Sequence, residues 1–567
     1  MSQHHSKFYL VRKLPLFSNL ADKEIELIAN SCKLIEFEKN EILYKKGEVD
    51  SYLYILLSGT ASIFDVYEED ETIREETIEV LRRGDILGLV SFLNSEPHSF
   101  FCKAITDLRT LRFEHKTLQT ILKKIPSLAF QFSNFLSRRI RDLRTKEVFD
   151  YENKTIGIIS FLSEQTTKLY LETILKHLRQ ISKKEVKFFE GLSYKKDLKL
   201  LNFLTYSCEE ELSEILANYC RECDHVVVLL KKEDFQQREL VEKNFDLIYV
   251  FTDTDTYSEE IEFILKETKY PRVYKVFSVG ANIKSEFLET RLKIFARELH
   301  GNRLGLSLGG GAALGLAQIG IIQVLEEEGI EIDIISGTSI GSLIGGLWAA
   351  GISGREMEEI CNEFNSAYKI LKLVDITIPT QGLLSGKNVI QFIENYIHEI
   401  QFNELKIPFK AIACDITSRN EIVIHTGKVS EGIRASTAIP GIFAPVVGQR
   451  GEVLVDGGVV NPLPVNVISS EGVKKIIAVN SMPSSNMLMK SNLGQNPNFF
   501  NIMINSLYSL QYRIAKFAAN EADIYLNPIL PKSSWYEFHR AKEFIELGRE
   551  SASKVLSEIK NLRIDHI

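Results

Sequence analysis

Two serines in this chain stand inside the pattern G-x-S-x-G: Ser339 in Gly337-Thr338-Ser339-Ile340-Gly341, and Ser307 in Gly305-Leu306-Ser307-Leu308-Gly309. A serine in that pattern becomes a nucleophile where a strand turns sharply into a helix. Small neighbours let the chain turn, and the first amides of the helix face the place where an oxyanion forms. Ser339 has that setting. The apolar run Ile332 to Ile335 precedes it, and the small-residue apolar stretch Ser342 to Ala350 follows. Ser307 lies inside the apolar run Leu304 to Leu308, which leads into more glycines, and reads as a strand residue. A nucleophile needs a base. Of the later histidines His398, His425, His539 and His566, none sits in a glycine-rich loop that would present it. Asp456, in Leu454-Val455-Asp456-Gly457-Gly458, is the better candidate, since burial can raise the basicity of a carboxylate. A turn-capping aspartate is the alternative reading.

A second glycine run, Gly309-Gly310-Gly311-Ala312-Ala313-Leu314-Gly315, falls between the Leu304 to Leu308 strand and an apolar helix, Leu316 to Glu328. Backbone amides beside a helix N-terminus bind negative charge. That charge is either a nucleotide pyrophosphate or the oxyanion of an ester transition state. Gly309, Gly311 and Gly315 nearly spell a dinucleotide fingerprint, with Asp333 about twenty residues on, but the last spacing is one residue too long. A serine on the next strand favours acyl transfer, which needs a nucleophile facing an oxyanion hole.

The elements that must hold these residues belong to a chain of 567 residues, too long for one core. At 44% hydrophobic and 25% charged it is globular, and a net charge of −8 gives no footprint for nucleic acid. Seven scattered cysteines suit a reducing compartment. No signal peptide or transmembrane helix is expected, so the reading is cytoplasmic, with access to lipid from the membrane surface. The pattern divides into 1–150, 151–300 and 301–567. The first part has short strands punctuated by glycine. The second alternates strands with helices: Thr155 to Phe161, Val186 to Phe189, His225 to Leu230, Phe245 to Phe251 and Val273 to Phe277 are its strands. The third holds the serine and aspartate. The expected fold is α/β multidomain: a β-roll, an α/β spacer domain and an α/β/α domain.

The first part resembles a cyclic-nucleotide-binding domain through Gly47-Glu48, Tyr52 to Gly59, Gly84-Asp85-Ile86-Leu87-Gly88 and Glu96-Pro97-His98-Ser99. In that family a glutamate takes the ribose hydroxyl and an arginine the cyclic phosphate; here those positions are Leu89 and His98. Leu89 accepts no hydrogen bond and neutral His98 cannot make the bidentate contact of a guanidinium. Cyclic nucleotide is therefore not expected to bind in the usual way, and a scaffold or homodimerisation module is. The arginine-rich stretch 126–150 reads as the closing helix of this part, with a lipid-facing surface helix as the alternative.

The third part resembles the patatin-like phospholipase family, through Gly309–Gly315, Gly337–Gly341, Arg434-Ala435-Ser436-Thr437-Ala438-Ile439-Pro440, Phe443-Ala444-Pro445, Asp456-Gly457-Gly458 and Ala522-Asp523, in that order. With the first part, the whole resembles bacterial relatives of neuropathy target esterase, in which a comparable spacer occurs. The resemblance implies a Ser–Asp dyad, no metal or other cofactor, and hydrolysis of phospholipid or lysophospholipid acyl esters. Carried over, Ser339 is the nucleophile, Asp456 the base, and the amides of Gly310, Gly311 and Ala312 the oxyanion hole. Leu314 stands where the family often has Arg or Lys, which bears on head-group preference. An acyl slot is expected along Leu343–Ala350 and near Ile370–Leu384. Phe500, Met503-Ile504, Leu507, Leu510 and Ile514 form one side of a helix within 498–517; core packing is the first expectation, a lipid-facing helix the alternative. A non-catalytic sensor or scaffold and a nucleotide-binding protein are the rival readings of the whole.

Overall fold

The architecture is that of a computed structural model. It describes residues 7–563 apart from a set of segments, the longest being 129–154, 195–203, 232–240, 255–273, 364–383 and 484–498. The described chain falls into two compact units, one made mainly of residues before Ser278 and the other mainly of Ser278–Ile567.

In the first unit two antiparallel four-stranded sheets form a β-roll. One runs Cys32–Phe37, Leu108–Glu114, Tyr52–Ser58, Ile86–Leu87; the other Ile42–Tyr44, Phe101–Ala104, Ala61–Glu69, Thr72–Leu81. Helices Asp22–Ser31 and His115–Lys124 pack Ile25, Ile28, Leu118 and Ile121 on Leu53, Ile55 and Phe113. The same unit has a five-stranded sheet in the order Glu185–Phe189, Cys223–Leu230, Thr155–Ser160, Leu247–Thr252, Tyr274–Ser278. All five strands expected of the spacer are present, and the pairings among its first four are parallel. The 126–150 helix lies almost wholly outside the described residues.

The second unit is built on an eight-stranded mixed sheet. Its strands are β1 (Leu304–Leu308), β2 (Ile334–Thr338), β3 (Phe409–Asp415), β4 (Asn420–Ile424), β5 (Val446–Val447), β6 (Val453–Asp456), β7 (Lys475–Val479) and β8 (Ile524–Leu526). The order is β5-β6-β3-β2-β1-β7-β8, with β4 paired to β3. β1 is parallel to both β2 and β7, whereas β6 runs antiparallel to β3. Its described helices are α1 (Ser285–His300), α2 (Ala317–Glu327), α3 (Ile340–Ala349), α4 (Gly354–Glu363), α5 (Lys387–Ile397), α6 (Val429–Ser436), α7 (Val465–Ser470), α8 (Phe499–Ala518), α9 (Ala541–Lys554) and α10 (Leu556–Arg563).

Every residue of β1 and β2 is buried, as the interior strands of a sheet covered on both faces require. Their apolar runs therefore show no alternation. α2 and α9 cross so closely that a side chain at Gly320 would meet the Ile545 carbonyl, and one at Gly548 the Ala317 carbonyl. Asp333, just before β2, is wholly buried. It pairs with Arg297 (2.5 Å) and Arg563 (2.8 Å) and accepts the Leu304 amide (2.7 Å). It ties α1 and α10 to the base of the sheet, so the dinucleotide alternative loses its ribose-binding acid.

Candidate active site

Strand β2 ends at Thr338 and α3 begins at Ile340, leaving Ser339 alone in the turn with φ 56° and ψ −124°. This left-handed conformation is costly for a residue with a Cβ and persists because the surroundings fix it. The flanking glycines make room. A Cβ on Gly337 would come 2.5 Å from the Gly341 carbonyl oxygen, and one on Gly341 would strike the Leu308 carbonyl. The Ser339 amide donates to Ser436 Oγ (3.1 Å), and its carbonyl accepts from Ser342 Oγ (2.7 Å). Thr338 Oγ1 donates to the Asn461 carbonyl (2.8 Å).

Asp456 is the last residue of β6 and 4% exposed. β6 pairs with β3, and β3 with β2, which carries Asp456 to the same end of the sheet as Ser339. Its Oδ1 accepts the Gly458 amide at 2.7 Å, while Oδ2 is buried with no hydrogen-bond partner. Burial raises the carboxyl pKa from 3.8 to about 6; the nearby Ser339 hydroxyl and the Gly458 amide oppose that rise. The hydroxyl is thus close enough to act on the carboxyl without making a hydrogen bond to Oδ2. Catalytic hydrogen bonds are often long or poorly aligned before substrate binds. Asp456 does cap the turn Gly457–Val459, as the alternative reading had it, but with one oxygen only.

The Gly309–Gly315 loop runs beside them. A Cβ on Gly310 would lie 3.5 Å from Ser339 Cβ. The Gly309 amide donates to Val479 O (2.9 Å), the Gly310 amide to Pro462 O (2.9 Å) and the Ala313 amide to Trp535 O (2.9 Å). Gly310 therefore has its amide engaged, which corrects its place among the oxyanion donors. The amides of Gly311 and Ala312 remain. Gly315 lies under Ile340, and Leu314 is buried in the apolar core.

Sequence reasoning missed three supports. Gln318, wholly buried on α2, donates through Nε2 to the Gly309 carbonyl (2.7 Å) and to Ser481 Oγ (3.0 Å). The Gly309–Gly310 peptide is so held at both its carbonyl and its N–H. The strand-to-helix pattern that located the loop would have suggested a polar residue in the first turns of α2. Second, Ser436 holds the Ser339 amide while the Ala438 carbonyl accepts the Asp456 amide (2.9 Å), so three residues bridge the pair. Third, Asn461, Pro462 and Pro464 offer carbonyls to Thr338 Oγ1, Gly310 N and Ser336 Oγ. No residue type signals a carbonyl role of this kind. Tyr508 on α8 is kept protonated by burial and by the Asp456 charge, and its ring lies 6.3 Å from that of Trp535.

The other candidates stay apart. Ser307 sits in β1, wholly buried, with its hydroxyl 3.2 Å from Ser336 Oγ. His425 is exposed, with Nδ1 3.2 Å from the Val423 carbonyl oxygen. Next to Ile340 opens an apolar cavity of about 150 Å³, lined by Leu343, Ile344 and Leu347 of α3 with Met357, Phe392 and Phe538. The α3 stretch expected to form an acyl slot does line it; most of Ile370–Leu384 lies outside the described residues. Of the helical stripe, Leu510 and Ile514 are exposed rather than packed in the core. The side chains of Phe500, Met503 and Ile504 are outside the described residues.

Comparisons with known proteins give two family matches along the chain. Residues 306–468 match the model of the patatin-like phospholipases, and residues 34–125 that of the cyclic nucleotide-binding domain. A neuropathy target esterase of Drosophila melanogaster is 22% identical over 78% of this chain and 35% of its own length. A patatin-like phospholipase domain-containing protein of Caenorhabditis elegans is 26% identical over 78% of this chain and 39% of its own. A lysophospholipase of Candida albicans is 25% identical over 83% and 41%. The chain thus spans well under half the length of these curated relatives. It carries a patatin-like phospholipase domain and, N-terminal to it, a cyclic nucleotide-binding domain.

Proposed function

We propose that this chain hydrolyses fatty-acyl esters of phospholipids or lysophospholipids through a Ser339–Asp456 dyad. The observation that carries the reading is Asp456 Oδ2: buried, unpartnered among the described residues, and beside a serine on a strained turn. Asp456 takes the proton of Ser339 Oγ as the oxygen attacks the ester carbonyl. The Gly311 and Ala312 amides receive the developing oxyanion. Protonated Asp456 then gives its proton to the leaving alkoxide, and the fatty acid stays as an ester of Ser339. Water, deprotonated by the same carboxylate, attacks the acyl carbon; Ser339 Oγ leaves, takes that proton back from Asp456, and the fatty acid is released. The acyl chain lies in the apolar cavity that begins at Ile340. The dyad tells against the non-catalytic scaffold.

The reading divides the chain at 1–150, 151–300 and 301–567, with the β-roll as a regulatory or homodimerising module. Its His98 is buried and stacks on Tyr44, ring centroids 3.9 Å apart. Leu89 lies outside the described residues. Calorimetric titration with cyclic AMP and cyclic GMP should give no micromolar binding.

Labelling with a fluorophosphonate, with turnover of a short-chain ester and a lysophospholipid, tests the dyad. Wild type should label and turn over both. Ser339→Ala should do neither, and folded wild type that fails both would return the scaffold reading.

A further inference from the structure

The outer face of α8 has no part in the chemistry above. Leu510, Ile514 and Phe517, at spacings of four and three, lie on one stripe and are 62%, 37% and 69% exposed. Arg513 and Lys516 share this exposed side. No aspartate or glutamate occurs in Phe499–Ala518, in a chain whose net charge is −8. The inner face is different. Gln511 and Ala515 are buried, Gln511 Nε2 lies 2.7 Å from where a Cβ on Gly458 would be, and the Tyr508 hydroxyl feels the charge of Asp456. The helix is thus in contact with the turn that carries the catalytic carboxylate.

An apolar stripe set among cations suits the boundary between lipid head groups and acyl chains. The apolar residues enter the boundary, and each cation near it gains from anionic head groups. An apolar protein groove would match Leu510 and Phe517 but leave two cations without a reason. An anionic bilayer matches both. We propose that the outer face of α8 docks this chain on an anionic lipid surface. The docked helix lies in the boundary plane, with its inner side against the Asp456 turn. The step from docking to turnover rests on the hydrolase reading above; the docking itself does not.

Flotation of the full chain with phosphatidylcholine vesicles, with and without phosphatidylglycerol, tests this. Wild type should float with the phosphatidylglycerol vesicles and be released by salt. Leu510→Gln with Phe517→Gln should weaken binding about tenfold or more. Arg513→Gln with Lys516→Gln should weaken it about tenfold on the anionic vesicles only, and flatten the salt dependence. Turnover of a soluble ester without vesicles should stay within about twofold in both pairs, since neither touches the dyad. Folded wild type that does not float, or variants that bind as it does, would overturn the proposal. So would a wild-type dimer that Leu510→Gln with Phe517→Gln disperses, because a second copy would then cover the stripe. Vesicle binding as expected beside a wild type inert on every ester would uphold the docking face and remove the hydrolase reading instead.

Discussion

Ser307 lies on one strand and Ser339 just past the end of its neighbour in the same sheet, in the same five-residue pattern, and both are buried. Ser307 continues an extended strand and its hydroxyl is taken up by Ser336. Ser339 stands in a left-handed turn, with α3 starting at the next residue and a carboxylate nearby. The difference lies in the backbone rather than in the side chain. The pattern permits a nucleophile, and the turn that Gly337 and Gly341 leave room for is what sets the proposed one apart. The two sites also depend on each other, because the Leu308 carbonyl that follows Ser307 is what forbids a side chain at Gly341.

The largest test of this contrast is Ser339→Ala. It should lower ester turnover by at least about 10⁴-fold and abolish fluorophosphonate labelling, with the fold kept by circular dichroism. Asp456→Asn comes next, with turnover down about 10³-fold or more. It should also stabilise the protein. Folding raises this carboxyl, so the cost of burying its charge is absent below pH 3.8 and complete once pH has risen through about 6. Thermal unfolding at pH 8 should show a gain of the order of 1–3 kcal/mol for the asparagine variant, a gain that vanishes at low pH. A lower or unchanged stability at pH 8 would mean that the carboxylate is not held at a cost.

The pH profile is a smaller effect of the same group. The base must be ionised, so turnover should fall about tenfold per pH unit below about 6 and level off above it. A plateau reaching well below pH 5 would contradict this. Gln318→Leu frees the Gly309 carbonyl and loosens the amides that follow it. It should lower kcat by about ten- to a hundredfold with little change in KM, the mark of a transition-state contact. An equal loss in Ser307→Ala would make Gln318 merely structural. Ser307→Ala itself should be the mildest, keeping full labelling and turnover within about twofold, with stability lowered by about 1 kcal/mol for the lost buried hydrogen bond. Labelling lost there would reverse the assignment of the two serines.

Much of the site was legible in the chain because it depends on local rules. A strand, a small-residue turn and an apolar helix leave a pattern that can be read without a partner, which singled out Ser339 over Ser307. The spacer strands were legible for the same reason, as buried apolar runs between helices. Two points were not. Gly310 looked like the first oxyanion donor, yet its amide goes to Pro462, a residue about 150 positions later. The stripe along α8 looked like core, yet its buried side is Gln511 and Ala515 while Leu510 and Phe517 face out. Periodicity finds a stripe and does not say which neighbour covers it.

What the sequence by itself determined is the chemistry available: a serine in a turn only glycine allows, an aspartate before two glycines, and a glycine run at a helix start. What only the tertiary structure decided is which atoms are left over for that chemistry. Ser436 and Ala438 hold the amides of residues that lie 117 positions apart, and burial by the whole sheet lifts the Asp456 carboxyl to about 6. A hydrogen bond satisfied by a distant carbonyl, and a charge desolvated by packing, carry no mark in the local sequence, because each belongs to the contact rather than to the residue.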